Sequence, residues 1–121
     1  MSKNRYINTK FWDDVYISSL GSLEKLLFIY LITNALTSIC GIYEIGLERM
    51  SFDTKIESTT IEIILTKFKK DNKFKYIDNW IVAINFIKHQ KQSDNPNDNI
   101  NKGIKKELEK VPVNIKKEID Y

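Results

Sequence analysis

The side chains most used in covalent and metal chemistry are nearly absent from this chain. It has one cysteine, Cys40, and one histidine, His89. A single thiol cannot close an intramolecular disulfide, and one Cys with one His falls short of a zinc ligand set. Cys40 is therefore expected to pack as a small apolar residue. His89, within Lys88-His89-Gln90-Lys91, is expected to be an exposed polar residue. Acidic residues are scattered among lysines without a glycine-rich phosphate loop. The common nucleophilic and metal-dependent mechanisms thus lack their parts, so no enzymatic activity, cofactor or metal is expected.

What the chain can do is meet negative charge. The net charge is only +3, but residues 1–57 hold six Lys/Arg against seven Asp/Glu, whereas residues 58–121 hold thirteen Lys against nine. Within that second half Lys67, Lys69, Lys70, Lys73 and Lys75 stand against Asp71 alone. A phosphate backbone responds to such a local field more than to the global total. A solvated lysine face is the bland reading of the same run, and the elements that carry it decide between the two.

Those elements read as helix, turn, helix, hairpin. Phe11, Trp12, Tyr16, Ile17 and Leu20 suit a short helix near Thr9 to Ser19, with the aromatic pair plugging one end of the core. Gly21-Ser22-Leu23-Glu24 looks like a helix start. The helix it opens runs to about Asn34 with almost no polar face, so it should be central and covered on several sides. Gly41-Ile42-Tyr43-Glu44-Ile45 suits a small strand. Leu47, Met50 and Ser51 mark a brief helix, and Asp53-Thr54-Lys55 breaks it. Glu57-Ser58-Thr59 then caps another helix, in which Ile61, Ile64, Leu65 and Phe68 form the core stripe. Its opposite face carries Thr59, Thr60, Ile63, Thr66, Lys67 and Lys70. On that face Ile63 could be covered by neighbouring loops, touch thymine methyls in a major groove, or meet a partner protein. Asn72 to Ile77 alternates, Asp78-Asn79 supplies a turn, and Trp80 to Ile84 returns. Period two places Lys73, Lys75 and Ile77 on one side, expected to face solvent, and Phe74 and Tyr76 on the other.

At 121 residues the chain suits one domain with a modest core. We read residues 1–91 as that domain with an N-terminal arm, 92–99 as a polar loop, and 100–121 as a C-terminal amphipathic helical extension. In the extension Ile100, Ile104 and Leu108 make a stripe, and Ile115 and Ile119 sit on a last turn. The sequence leaves open whether this extension packs back on the domain, pairs with another subunit, or begins a linker. No window approaches the ~18 apolar residues of a membrane span, and the N-terminus lacks a signal-peptide core, so a cytoplasmic location is expected.

Five segments together carry a resemblance. They are Arg5-Tyr6-Ile7; Phe11-Trp12-Asp13-Asp14; the run Glu24 to Asn34; Gly41-Ile42-Tyr43-Glu44-Ile45; and the run Trp80 to Gln90. In this order they resemble the N-terminal winged-helix domain of phage replisome organisers, the DnaD-like replication initiation proteins. The likeness spans roughly residues 4–112. It implies an α+β, mostly helical fold: a winged helix-turn-helix with a small β-hairpin wing, here with extra C-terminal helices. It also implies a DNA-binding or self-associating domain that helps assemble the replication machinery at a phage origin in the host cell, with double-stranded DNA as its nucleic-acid partner. Homo-oligomers and replication proteins such as a helicase or its loader are the implied protein partners, with no membrane. Two positions depart from the pattern: Lys55 stands where such turns usually carry glycine, and Glu57 and Glu62 bring negative charge to the second helix of the pair.

On this reading Thr59, Thr60, Ile63, Lys67 and Lys70 lie in a major groove. Lys73 and Lys75 of the wing and Lys3 and Arg5 of the arm hold phosphates or reach a minor groove. Four or five neutralised phosphates imply a salt slope of about −4. Because of the two glutamates, the hairpin is the preferred point of contact. The alternatives are a protein-interaction scaffold that self-associates in the same replication context, and a winged-helix transcription regulator.

Overall fold

The computed structural model of the protein describes residues 4–84 and 99–117. A 3-10 turn at Thr9–Asp13 leads into α1 (Val15–Ser18) and α2 (Ser22–Thr33). These are followed by β1 (Ile42–Glu44), α3 (Leu47–Thr54), α4 (Ser58–Lys70), β2 (Phe74–Ile77) and β3 (Trp80–Ala83). Two further helices, α5 (Asn99–Glu109) and α6 (Val113–Lys116), complete the described chain. The architecture is α+β: helices around a small antiparallel sheet of order β1-β3-β2. Lys3, His89, Ile119 and the side chain of Ile100 lie outside the described residues.

The single helix expected over Thr9 to Ser19 is divided at Asp14. That residue is extended (φ −64°, ψ 132°), and its carboxylate accepts the Ile17 amide at 3.1 Å, so it caps α1. Phe11 packs half-buried against Phe28, but Trp12 turns outward. Only half of the expected aromatic plug therefore forms. In α2 the Gly21 amide donates to the Glu24 carboxylate at 2.8 Å and fixes the start. Leu27 and Leu31 are fully buried, whereas Leu23 and Leu26 are exposed. α2 packs against α3, α4 and β3, and its Phe28 also meets Phe11 and Tyr16, so the helix is central as expected, with Leu23 and Leu26 left uncovered.

α3 and α4 are joined by three residues, and the joint depends on Lys55, which adopts the left-handed region (φ 62°, ψ 24°). A glycine would take that conformation without steric cost, so the backbone a glycine favours is present with lysine in it. Ser51 Oγ donates to the Ile56 carbonyl at 2.6 Å and ties the joint to α3. The α4 stripe is as the spacing predicts: Ile61, Ile64, Leu65 and Phe68 are all buried. At its end Asn72 is left-handed (φ 58°), the Asn72 amide donates to the Lys69 carbonyl, and the Lys73 amide donates to that of Phe68. These paired bonds close the helix as a Schellman motif and turn the chain straight into β2.

The β2–β3 hairpin turns through Asp78 (φ 50°) and Asn79 (φ 68°), the two positive φ values of a type I′ turn. Its register pairs Ile77 with Trp80, Tyr76 with Ile81, Lys75 with Val82 and Phe74 with Ala83. β1 adds the third strand, with Ile42 opposite Val82. One sheet face carries Tyr43, Phe74, Tyr76, Ile81 and Ala83 into the main core with α2 and α4. Phe28, Phe68 and Phe74 meet there with ring centroids 5.0 to 5.5 Å apart.

The other sheet face differs from expectation. Ile42 and Val82 are buried on it, with Trp80 and Ile77 partly buried, in a second cluster with Cys40, Ile104, Val111 and Ile115. Helices α5 and α6 therefore cover the side that was expected to meet solvent. The apolar stripe of α5 explains this, because Ile104 and Leu108 need an apolar surface and Ile77, Trp80 and Val82 supply one. Ile115 is fully buried, and Asn114 Nδ2 donates to Asp78 Oδ2 at 3.2 Å, which ties α6 to the hairpin tip. Among the described residues no helix is long and apolar enough to cross a membrane.

Candidate nucleic-acid interface

Burial of one α4 stripe fixes what the other side presents. With about 100° between successive residues, Thr59, Ile63, Thr66 and Lys70 fall on a line opposite Ile61, Ile64, Leu65 and Phe68. All four of that outward line are exposed. Ile63 is 71% exposed, so none of the described loops covers it. Thr60 and Lys67 form one flank, each partly buried, and Glu62 and Lys69 form the other, both exposed. The face is therefore polarised along its length. Glu57 and Glu62 lie in its first half and Lys69 and Lys70 in its last turn, where cations also oppose the negative end of the helix dipole.

The basic residues do not all face one way. Lys67 Nζ lies 3.3 Å from Glu24 Oε2, so the carboxylate that caps α2 also draws this ammonium toward α2. Lys73 Nζ stands 4.6 Å over the ring of Tyr16, a cation–π contact. Tyr16 is itself held by its hydroxyl, which donates to Asp71 Oδ2 at 2.7 Å. Burial and the Asp71 carboxylate both raise the Tyr16 phenol above its ordinary pKa. Lys75 is partly buried on the sheet face shared with Val82 and Ile77. The hairpin tip carries Asp78, a negative group where a phosphate-binding wing would carry a positive one.

Arg5 is occupied within the fold. Its guanidinium donates to Thr37 Oγ1 at 3.0 Å, to the Thr37 carbonyl at 2.6 Å and to the Asn4 carbonyl at 3.1 Å. Burial lowers its pKa from the ordinary guanidinium value, and Glu107 acts in the opposite direction. Arg5 thus pins the N-terminal arm to the buried loop of Asn34, Thr37 and Ser38 between α2 and β1. Lys3 lies outside the described residues.

The structure therefore brings Thr59, Ile63 and Lys70 onto one open line, with Thr60 at its edge. Lys67, Lys73 and Arg5 are each engaged elsewhere. Lys69 belongs with the open face and is absent from the residues singled out by spacing. The signal for it was its place in the last turn, three residues after Thr66. Neither Lys69 nor Lys70 forms an ion pair among the described residues. An exposed line of two hydroxyls and one branched alkyl group, ending in Lys70 with Lys69 on its flank, can offer hydrogen bonds, an apolar contact and phosphate neutralisation together. Cys40 is buried, its thiol 3.1 Å from Ser38 Oγ, and burial raises its pKa, which disfavours the thiolate. No group of three metal-ligating side chains occurs among the described residues. Comparison with family models, with curated proteins and with solved structures finds no match to this chain.

Proposed function

We propose that this chain is a DNA-binding winged-helix domain of a phage replication initiator, a replisome organiser. The observation that carries the DNA reading is the outward line Thr59-Ile63-Thr66-Lys70 on the second helix of a tight α3–α4 pair that leads directly into a hairpin. The order α2-β1-α3-α4-β2-β3 with sheet order β1-β3-β2 supports the winged-helix assignment. The replication role rests on the sequence resemblance alone. In this reading α4 enters a major groove with its lysine end against the phosphates. The hairpin serves mainly to buttress α4, since its tip is acidic and one of its faces is covered by α5 and α6. The phosphate contacts fall to two or three lysines, so the salt slope is about −2 to −3. A fluorescence titration of duplex DNA at two salt concentrations tests this, and an affinity indifferent to salt removes it.

A second reading is favoured by a separate feature. Leu23 and Leu26 of α2, together with Trp12 and Val15, are exposed apolar side chains. Self-association through these side chains is compatible with DNA contact through α4. Light scattering across a concentration series separates the two readings, because a strict monomer at high concentration removes self-association and leaves DNA binding standing.

A further inference from the structure

A cleft of about 290 Å³ opens between the N-terminal arm and the core, next to the base of the hairpin. Its walls include Tyr6, Phe11, Phe28 and Phe74, and Lys10 and Lys73 stand in its lining. The volume lies at the small end of the ~300–1,000 Å³ usual for ligand sites, room for one planar ring system with its sugar and too little for a folded segment. Its aromatic walls are positioned by named contacts: Phe11 lies 5.8 Å from Phe28, and Phe28 lies 5.0 Å from Phe74, centroid to centroid. Lys73 is fixed over Tyr16, and Lys10 is exposed. Asp14 also lines the cleft, but one of its carboxylate oxygens is occupied in capping α1.

An aromatic wall with a flanking ammonium group is what an unpaired nucleotide requires: a π-face for the base, offered here by the partly exposed Phe11, and a cation for the phosphate, offered by the exposed Lys10. A base within a duplex is stacked on both sides and cannot enter. The cleft adjoins the lysine end of α4 through the short link Asp71-Asn72-Lys73. We propose that this cleft binds an unpaired base of single-stranded DNA, a second nucleic-acid site distinct from the α4 face. The inference rests on the nucleic-acid reading above, and its test separates the two.

Binding of a short labelled oligothymidylate is compared with that of an abasic oligomer of equal length, by anisotropy on the full chain. The thymidylate should bind about five-fold or more tightly, because stacking depends on the base whereas charge attraction does not. Phe11→Leu keeps the apolar volume and should remove that preference while the protein stays folded by circular dichroism. Lys10→Glu, at an exposed position, should weaken both oligomers together. Equal affinity for thymidylate and abasic strands, or a base preference unchanged in folded Phe11→Leu, overturns the proposal. Should Phe11→Leu fail to fold, the comparison of the two oligomers on the unaltered chain still decides. Duplex binding without base preference defeats this inference alone, and base preference without duplex binding defeats the α4 reading alone.

Discussion

The backbone amide of Lys73 donates to the carbonyl of Phe68 at 2.8 Å, and that bond sets where the hairpin leaves α4. It forms because Asn72 takes φ 58°, a conformation that asparagine tolerates and most side chains resist. The Phe68 ring at the same point packs against Phe28 and Phe74, so one residue anchors α4 to both α2 and β2. Asn72→Gly should be neutral or slightly stabilising. Asn72→Val should cost about 1–2 kcal/mol in chemical denaturation, and no loss for valine would mean that this turn is not formed.

Lys55 holds the α3–α4 joint in the same left-handed region, with a cation–π contact to Phe52 at 4.8 Å and the charge of Asp53 nearby as local compensation. Lys55→Gly should therefore stabilise the domain by about 0.5–1 kcal/mol, a melting temperature higher by a few degrees. A lower melting temperature would contradict the left-handed assignment.

Ile115 and Ile63 are both isoleucines on helices, one fully buried and the other largely exposed. Ile115→Ala should cost about 2–4 kcal/mol, because it opens a cavity between α6 and the sheet. Ile63→Ala should change stability by no more than about 0.5 kcal/mol, while weakening a complex that uses the α4 face. Equal effects on stability would mean that α6 does not cover the sheet.

Tyrosine titration provides a pH test. The phenols of Tyr16, Tyr30, Tyr43 and Tyr76 are all raised above their ordinary pKa, with burial the first cause in each. Tyr30 also donates to Asp53 at 2.6 Å, and this bond together with Arg49 holds the Asp53 carboxyl below its ordinary value. A raised phenol contributes stability that is complete below its unfolded pKa of about 10 and is lost as pH rises through the folded value. A depressed carboxyl contributes stability present above about pH 4 and lost as pH falls through its folded value. Stability should therefore fall at the acid end as the Asp53 carboxyl protonates, and at the alkaline end, where the Cys40 thiol, also raised by burial, adds to the four phenols. Tyrosinate absorbance should show Tyr16, Tyr30, Tyr43 and Tyr76 ionising late. Tyr30→Phe should reduce the acid-side loss, and an unchanged acid limb would remove the Tyr30–Asp53 contribution.

The elements were largely legible because their signals are local. The Ile61-Ile64-Leu65-Phe68 stripe, the Asp78-Asn79 turn and the Gly21/Glu24 start each depend on neighbours in sequence. The contacts of the basic residues were not legible, because those are made across the fold. Lys67 meets Glu24 from 43 positions away and Arg5 meets Thr37 from 32 positions away, and no spacing rule reports such pairs. The apolar character of α2 likewise could not show that Leu23 and Leu26 would stay exposed. The role of α5 and α6 was open because an amphipathic stripe states that a partner is needed without saying which. Ile77, Trp80 and Val82 supplied the answer.

The central claim is that the lysine end of the open α4 face holds duplex DNA. The direct measurement is the affinity of a labelled duplex for the unaltered chain and for Lys69→Glu with Lys70→Glu, at two salt concentrations. Both positions are exposed, so the double variant should fold. The account predicts a loss of binding of about ten-fold or more and a salt slope reduced by about two. Unchanged affinity and slope in a folded double variant would contradict it.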